Sequence, residues 1–197
     1  MPRRSQQDRT RSTQAALMAT ARQLFAERGY AQVPADELVA AAGVTRGAMY
    51  HHYADKKALF EAVFEALETE ITQEIAEVAD GATDAWTSVV GAVARYLDIC
   101  QRPEVIQIAL TDAPGVLGWQ RWREIEAVHG LGLITSRLQV MADQGVLVAA
   151  PVPVLAQIAL SAVTEAALII AHADDRAAAR DAAQQSLLAL LGGMVGH

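Results

Sequence analysis

The sequence predicts an all-α fold of about nine helices, with a small N-terminal three-helix domain followed by a larger helical domain. Apolar residues make up 52% of the 197 positions. Many of them are alanines, which favour helix. Apolar positions also recur at helical spacing along the chain, whereas β-branched runs bounded by turn residues are hard to find.

Four helices are predicted in the N-terminal part of the chain, each opened by a capping residue or ended by a glycine. Their ranges are 8–29, 34–42, 45–52 and 55–81. Gly43 lies in the tight turn after the second helix, where a positive φ is needed. Thr45 and Asp55 are the predicted N-caps of the third and fourth helices. A helix-turn-helix unit therefore occupies residues 35–53.

The remainder of the chain is also predicted to be helical. The expected helices cover residues 84–101, a segment opened by Pro103, then 116–144, 154–172 and 175–192. We expect the segment from Asp112 to Gly115 to break the chain before the long helix. The domain boundary falls within the fourth helix rather than in a linker, and we assign the two domains to residues 1–56 and 57–197.

Charge is distributed unevenly along the chain. The net charge is −7, yet residues 1–57 hold nine Lys and Arg against five Asp and Glu, a net of +4. Residues 58–197 hold seven against eighteen, a net of −11. A basic N-terminal module on an acidic body steers one end of the molecule toward polyanions.

Composition narrows the class of protein further. The single cysteine, Cys100, excludes an intrachain disulfide and a cysteine zinc site, and it suits a reducing cytoplasm. The N-terminus has no apolar stretch typical of a secretory signal. The most apolar window, residues 154–171, is interrupted by polar side chains, so a buried helix is favoured over a membrane span. We expect a cytoplasmic protein with no membrane partner.

The third helix carries more polar side chains than a core helix can bury. Arg46 lies in its first turn, where a guanidinium can reach guanine O6 and N7 in the major groove. Gly47 lets the backbone approach closely. Lys56 follows at the start of the fourth helix, where its charge and the helix dipole can act on one phosphate. Donors on the same surface that can reach phosphates are those of Tyr50, His51 and His52.

These residues carry a detailed family resemblance over residues 12–65. Residues 42–60, AGVTRGAMYHHYADKKALF, resemble the signature segment of the TetR family of transcriptional regulators, and residues 21–30, ARQLFAERGY, resemble its first helix. The resemblance implies a homodimer paired through the last two helices, a palindromic operator and repression relieved by a small molecule. It implies DNA contacts at Thr45, Arg46, Gly47, Tyr50, His51, His52 and Lys56.

Two positions depart from the family pattern. Pro34 stands where a Ser or Thr usually caps the second helix, and a proline has no side-chain oxygen for that role. Val39 stands where a small alanine is usual between the two helices. We expect any change in docking at the entry to the second helix rather than in the third helix.

Other polar residues admit a weaker functional interpretation. The N-terminal arginines form either a flexible arm that contacts the DNA or a solvated tail, and we favour a solvated tail that reads no bases. These residues are Arg3, Arg4, Arg9 and Arg11. His51 and His52 are neighbours rather than an i, i+4 pair, and no carboxylate or cysteine completes a ligand set. We therefore expect neither a metal nor a cofactor.

Aromatic residues of the second domain indicate a ligand cavity between helices. Trp86 is a further aromatic candidate. For the whole set, ordinary packing in the core is an equally good interpretation. Such a pocket would favour an apolar or aromatic effector. The predicted lining residues are Tyr96, Cys100, Trp119, Trp122 and His129.

The last two helices are more apolar than solvent-facing helices should be, which predicts a four-helix interface between two protomers. Burial within one protomer is the alternative. The residues assigned to the interface are Leu155, Ile158, Ala159, Ala162, Ala166, Ala182, Leu188 and Leu191.

Two other function classes compete with a DNA-binding regulator. An enzyme is disfavoured because the chain shows no nucleophile elbow, phosphate-binding glycine loop or acid–base pair. A helical architectural protein without gene-specific control would differ in its ratio of specific to non-specific DNA affinity.

Overall fold

The computed structural model describes residues 6–147 and 150–195. In this part of the chain, helices are joined by turns and short loops, and one isolated bridge pairs Leu147 with Val195. The all-α prediction is confirmed. The elements in chain order are α1 Gln6–Arg28, α2 Ala35–Ala41, α3 Arg46–His52, α4 Lys56–Asp80, α5 Ala85–Ile99, α6 Pro103–Val105, a π-helical segment Ile106–Asp112, α7 Ala113–Leu117, α8 Trp119–Asp143, α9 Val152–His172 and α10 Arg176–Gly192.

The elements α6, the π-helical segment and α7 follow one another without a gap and form one continuous helix. Counted in this way, the described residues form nine helices. The predicted break at Asp112–Gly115 is therefore wrong. Pro114 lies within the first two positions of α7, where the missing N–H disturbs a helix least. The chain turns instead at Gly118, whose φ of +89° is a conformation that glycine adopts readily. As a result α8 begins at Trp119 and not at Val116.

The first hydrophobic core joins the N-terminal helices to α4 through the predicted apolar stripes. Leu17 and Phe25 of α1 are fully buried with Met49 of α3, and the Phe25 ring lies 5.3 Å from that of Phe60 on α4. The same core continues into the π-helical segment and to Trp122 of α8. The domain boundary at residues 56/57 stays a prediction, because one core covers both sides of it.

The second core lies between α5, α8, α9 and α10, and includes Leu97, Leu138, Ile170 and Leu187. By length and composition α9 could cross a membrane, but a core helix of a globular domain has the same composition. One side of α9 packs against α8 and α10 here.

Polar contacts fix α1 to the C-terminal body. The Asp112 carboxylate accepts hydrogen bonds from the Tyr30 backbone N–H at 2.7 Å and from the Gln107 amide at 3.1 Å. Arg22 donates to Glu70 on α4 at 2.7 Å and also pairs with Glu104 on α6. These contacts link α1 and the residues after it to α4 and to the helices that follow α5.

Candidate nucleic-acid interface and ligand cavity

The turn between α2 and α3 has the geometry that the sequence predicts. Gly43 has φ +65°, and the Val44 N–H donates to the Val39 carbonyl at 3.0 Å. The Thr45 hydroxyl accepts from the Ala48 N–H at 3.1 Å, which confirms the predicted N-cap of α3. The turn therefore holds α3 at a fixed angle to α2.

One face of α3 is anchored in the core while the other is exposed. Met49 is fully buried and Tyr53 nearly so. His52 is half-buried beside Tyr53. The exposed residues assigned to DNA contacts lie on the opposite face, namely Thr45, Arg46, Gly47, Tyr50 and His51. The fold brings them together on one surface, and their contacts with DNA stay predictions.

The Arg46 guanidinium has a partner that sequence reasoning missed. It lies 3.0 Å from a carboxylate oxygen of Asp36 in the first turn of α2, and 5.7 Å from the centre of the Tyr50 ring. Its pKa is raised by the Tyr50 hydroxyl and by the Asp36 charge. The acidic first turn of α2 was visible in the sequence, but its reach to Arg46 depends on the crossing of the two helices.

Lys56 contacts protein groups in addition to any role on DNA. Its ammonium donates to the backbone carbonyls of Tyr30 at 2.9 Å and Val33 at 3.0 Å, and lies 3.8 Å from the centre of the Tyr30 ring. Partial burial lowers its pKa. Lys56 thereby fastens the α1–α2 connection to α4. The adjacent Lys57 is exposed and was not predicted as a DNA contact.

At the entrance to the interface, the structure agrees with the expectation for Pro34 and differs from it for the N-terminal arginines. Pro34 occupies the N-cap position of α2 without a side-chain hydrogen bond, as its residue type requires. Arg9 and Arg11 lie within α1 and so do not belong to a flexible arm. Arg3 and Arg4 lie outside the described residues.

Within the described ranges, no group of three or more His, Cys, Asp or Glu side chains could hold a metal ion. The rings of His51 and His52 are 5.4 Å apart and inclined at 70°.

A cavity of about 120 Å³ lies between α4, α5, α8 and α9, closed at one side by α10. Its wall is mostly apolar and includes Ile71, Ile75, Val93, Leu138 and Val163.

Of the five predicted lining residues, Tyr96 alone is part of the wall. The assignments of Trp119, Trp122, Cys100 and His129 are wrong. Trp122 and Cys100 are buried in the first core, and Trp119 is 61% exposed with its ring 4.8 Å from that of Trp122. The cavity begins further along α8, where Glu126 is the first residue of this helix in the wall.

Two carboxyl groups that sequence reasoning missed lie in this apolar wall. Glu126 is buried and pairs with Arg123 at 2.8 Å. Burial raises the pKa of Glu126 to about 7, against the opposing effect of Arg123. Burial, with a smaller contribution from Glu126, raises the pKa of Glu68 to about 8. Glu68 lies four residues after the buried Phe64, and Glu126 lies four residues after the buried Trp122. Their charge, not their spacing, kept them out of the predicted lining.

The family is decided by comparison with known domains. A model described as "Tetracyclin repressor-like, C-terminal domain" matches residues 86–194, more than half of the chain, and one described as "Bacterial regulatory proteins, tetR family" matches residues 17–63. The chain belongs to the TetR family.

Individual TetR-family relatives agree with this assignment. The Transposon Tn10 TetC protein of Escherichia coli is 30% identical over 131 residues, which cover 66% of each chain. The HTH-type transcriptional regulator CymR of Pseudomonas putida is 42% identical over 71 residues, 36% of this chain and 35% of that one. The matches thus span just under two thirds of TetC and about a third of CymR.

A solved TetR-family transcriptional regulator from Pectobacterium atrosepticum matches over nearly the whole length. The TM-score is 0.87 at 34% identity, and the match covers 98% of this chain and 99% of that one. The prediction of fold and family is confirmed.

Part of the dimer surface predicted on the last two helices of this TetR-family chain is buried within the protomer. Ala159, Ala166 and Leu191 are buried within the protomer, so their assignment to the interface is wrong. Ala159 and Leu191 line the cavity and Ala166 lies in the second core, because only one side of each helix can point outward. Outward-facing or half-buried members of the predicted set are Leu155, Ile158, Ala162, Ala182 and Leu188. Further exposed apolar residues on α9 and α10 are Val154, Ile169 and Leu190.

Proposed function

We propose that this TetR-family chain is a ligand-responsive transcriptional repressor. It binds a palindromic operator as a homodimer in the cytoplasm and is released by a small apolar or aromatic effector. The observation that carries the proposal is α3, a short helix anchored by Met49 with its polar face exposed. A helix of this size fits the major groove of B-DNA.

The chemistry of the exposed face supports DNA as the partner. Arg46 offers a planar pair of donors that match guanine, and Tyr50 and His51 offer donors to phosphates. Lys57, exposed in the first turn of α4, adds a cation at a helix N-terminus. The excess of basic over acidic residues up to position 57 steers this end of the molecule toward DNA.

Dimerisation through α9 and α10 would place two copies of α3 on one face of the DNA. Two half-sites one helical turn apart require a separation of about 34–36 Å. The cavity wall includes α4, whose first residue follows α3 after a short connection. A ligand that moves α4 changes that separation, and by linkage operator DNA weakens ligand binding by the same factor.

The alternatives differ in what they predict. An enzyme would convert a substrate, whereas CymR and the Pectobacterium atrosepticum protein are described as transcriptional regulators. An architectural DNA-binding protein would show little difference between specific and random DNA, whereas a repressor is typically at least 10³-fold more selective.

The test begins with selection of bound sequences from random DNA, followed by affinity measurements on the selected site. Arg46→Ala should weaken binding by about 1–3 kcal/mol and relax base preference. Arg176→Ala, which removes an exposed arginine at the start of α10, is the matched control and should leave affinity unchanged. Equal affinity of the Arg46 variant and the wild type would refute the assigned interface.

A further inference from the structure

The cavity contains one ionisable group that lacks a counterion. Arg123 pairs with Glu126 at 2.8 Å, and Arg137 pairs with Asp80. No hydrogen-bond or ion-pair partner of the Glu68 carboxyl is found among residues 6–147 and 150–195. Each arginine near the cavity therefore pairs with its own carboxylate, and no basic side chain among the described residues pairs with Glu68.

The position of Glu68 shows that its carboxyl faces the cavity. The residue lines the cavity wall and keeps accessible surface, although protein surrounds it. Facing groups are Tyr96 of α5, Cys100 at the C-cap of α5 and Glu126 of α8. Tyr96 and Glu126 line the wall, and Cys100 lies behind it in the first core. Each interacts with Glu68 electrostatically. An apolar wall that holds a carboxyl group without a partner disfavours the ionised form of that group.

We propose that the cavity binds an apolar or aromatic monocation whose positive charge lies against the Glu68 carboxylate. The inference rests on the proposed function in that the cavity is the effector site. The apolar wall supplies the contact area for the body of the ligand, and the charge of the ligand supplies the counterion that the protein lacks. Tyr96 is placed in the same wall, where its ring can also face a cation.

Protonation links ligand binding to pH. In the free protein the Glu68 carboxyl is largely protonated at neutral pH, since burial raises its pKa to about 8. A bound cation favours the carboxylate, so binding releases a proton. Affinity for the cation should therefore rise with pH, by up to about tenfold per unit below the pKa of Glu68.

Arg137 is the residue that would favour an anionic ligand instead of a cation. It lines the cavity, and its Nε is buried without a hydrogen-bond partner among the described residues. The guanidinium is already neutralised by Asp80 at the cavity edge, so a ligand anion would compete with an existing ion pair. The cation has no such competitor at Glu68.

The experiment uses the full chain and calorimetric titration with three probes of similar size. Phenyltrimethylammonium carries a permanent positive charge, tert-butylbenzene has the same shape without charge, and phenylacetate is an anion. The cation should bind at least about tenfold more tightly than its neutral isostere. Equal affinity of the two, tighter binding of phenylacetate, or no binding of the cation at millimolar concentration each overturns the proposal.

Variants then assign the effect to one carboxyl group. Glu68→Gln should lose the preference for the cation and the rise of affinity with pH, while keeping affinity for tert-butylbenzene within about twofold. Glu126→Gln should keep the preference for the cation over its neutral isostere. Glu77→Gln removes the same charge from an exposed position on α4 and should behave as wild type. Retention of the cation preference in Glu68→Gln overturns the proposal, and the comparison of probes on the wild type does not depend on whether that variant folds.

Operator affinity with and without phenyltrimethylammonium is measured separately. If the cation binds through Glu68 and the operator stays bound, the release mechanism of the proposed function fails while the cation site stands. If operator binding is normal and the cation does not bind, the cation site fails while the proposed DNA-binding function stands.

Discussion

The guanidinium of Arg46 lies 3.0 Å from a carboxylate oxygen of Asp36, so the cation at the start of α3 is held by the preceding helix. The two side chains are 62% and 71% exposed, and an ion pair of that exposure contributes little to stability because solvent screens it. A DNA base or phosphate can therefore displace Asp36 at little cost. The carboxylate nevertheless opposes any polyanion that approaches α3.

We expect Asp36→Asn to strengthen DNA binding about 2–10-fold at low salt, because the change frees Arg46 and removes a negative charge from the interface. Fluorescence anisotropy with the selected operator measures the effect across a salt series. Asp174→Asn makes the same charge change on the body of the protein, far along the chain from α3, and should leave affinity within about twofold of wild type. Weaker binding by Asp36→Asn would show that Asp36 positions Arg46 productively.

The neighbours Lys56 and Lys57 should differ in what their loss affects. Lys56→Gln removes two hydrogen bonds to backbone carbonyls, so it should lower both the unfolding temperature and the affinity for any DNA sequence. Lys57→Gln should leave the unfolding temperature unchanged and reduce the salt slope of DNA binding by about 1, as the loss of one phosphate contact does. Calorimetric melts and salt titrations separate the two. An unchanged salt slope in Lys57→Gln would exclude it from the interface.

The residues that could be predicted from the sequence are those whose role depends on near neighbours. Thr45 caps α3 through an N–H three residues away, and Gly43 has the positive φ of its turn. The contacts of Lys56 with residues 30 and 33, and of Asp112 with Tyr30, join positions far apart in the chain. No local spacing encodes such pairs.

The cavity shows the same limit. Trp119 and Trp122 were predicted to line the cavity because they are large and aromatic, but a large side chain fills a core as readily as it lines a pocket. Glu68 and Glu126 were overlooked because a charged residue on a helix is usually solvated. Only the packing of α4 against α8 and α5 reveals that these two carboxyl groups point inward.

The outward face of α9 should decide the oligomeric state. Ile158 is 51% exposed between Val154 and Ile169 on the same helix, and a charge placed there opposes burial against a second copy. We expect Ile158→Glu to be monomeric at micromolar concentration by light scattering and to lose most of its operator affinity. Val128→Glu, at a 76% exposed position on α8, is the matched control and should remain dimeric. A dimeric Ile158 variant would place the interface elsewhere.

The buried carboxyl of Glu68 should make stability depend on pH in a defined direction. Its pKa in the folded protein is raised from 4.5 to about 8, so folding favours the protonated form. That contribution is fully present below the unfolded pKa and is lost as pH rises through about 8. Glu68→Gln keeps the shape of the protonated side chain and cannot ionise. We therefore expect the variant to match the wild type near pH 5 and to unfold roughly 3 °C higher, or more, at pH 8.5. Glu77→Gln, exposed on the same helix, controls for the loss of one negative charge and should show no such divergence. Melting curves of Glu68→Gln that parallel the wild type at both pH values would mean that the Glu68 carboxyl ionises freely in the folded protein.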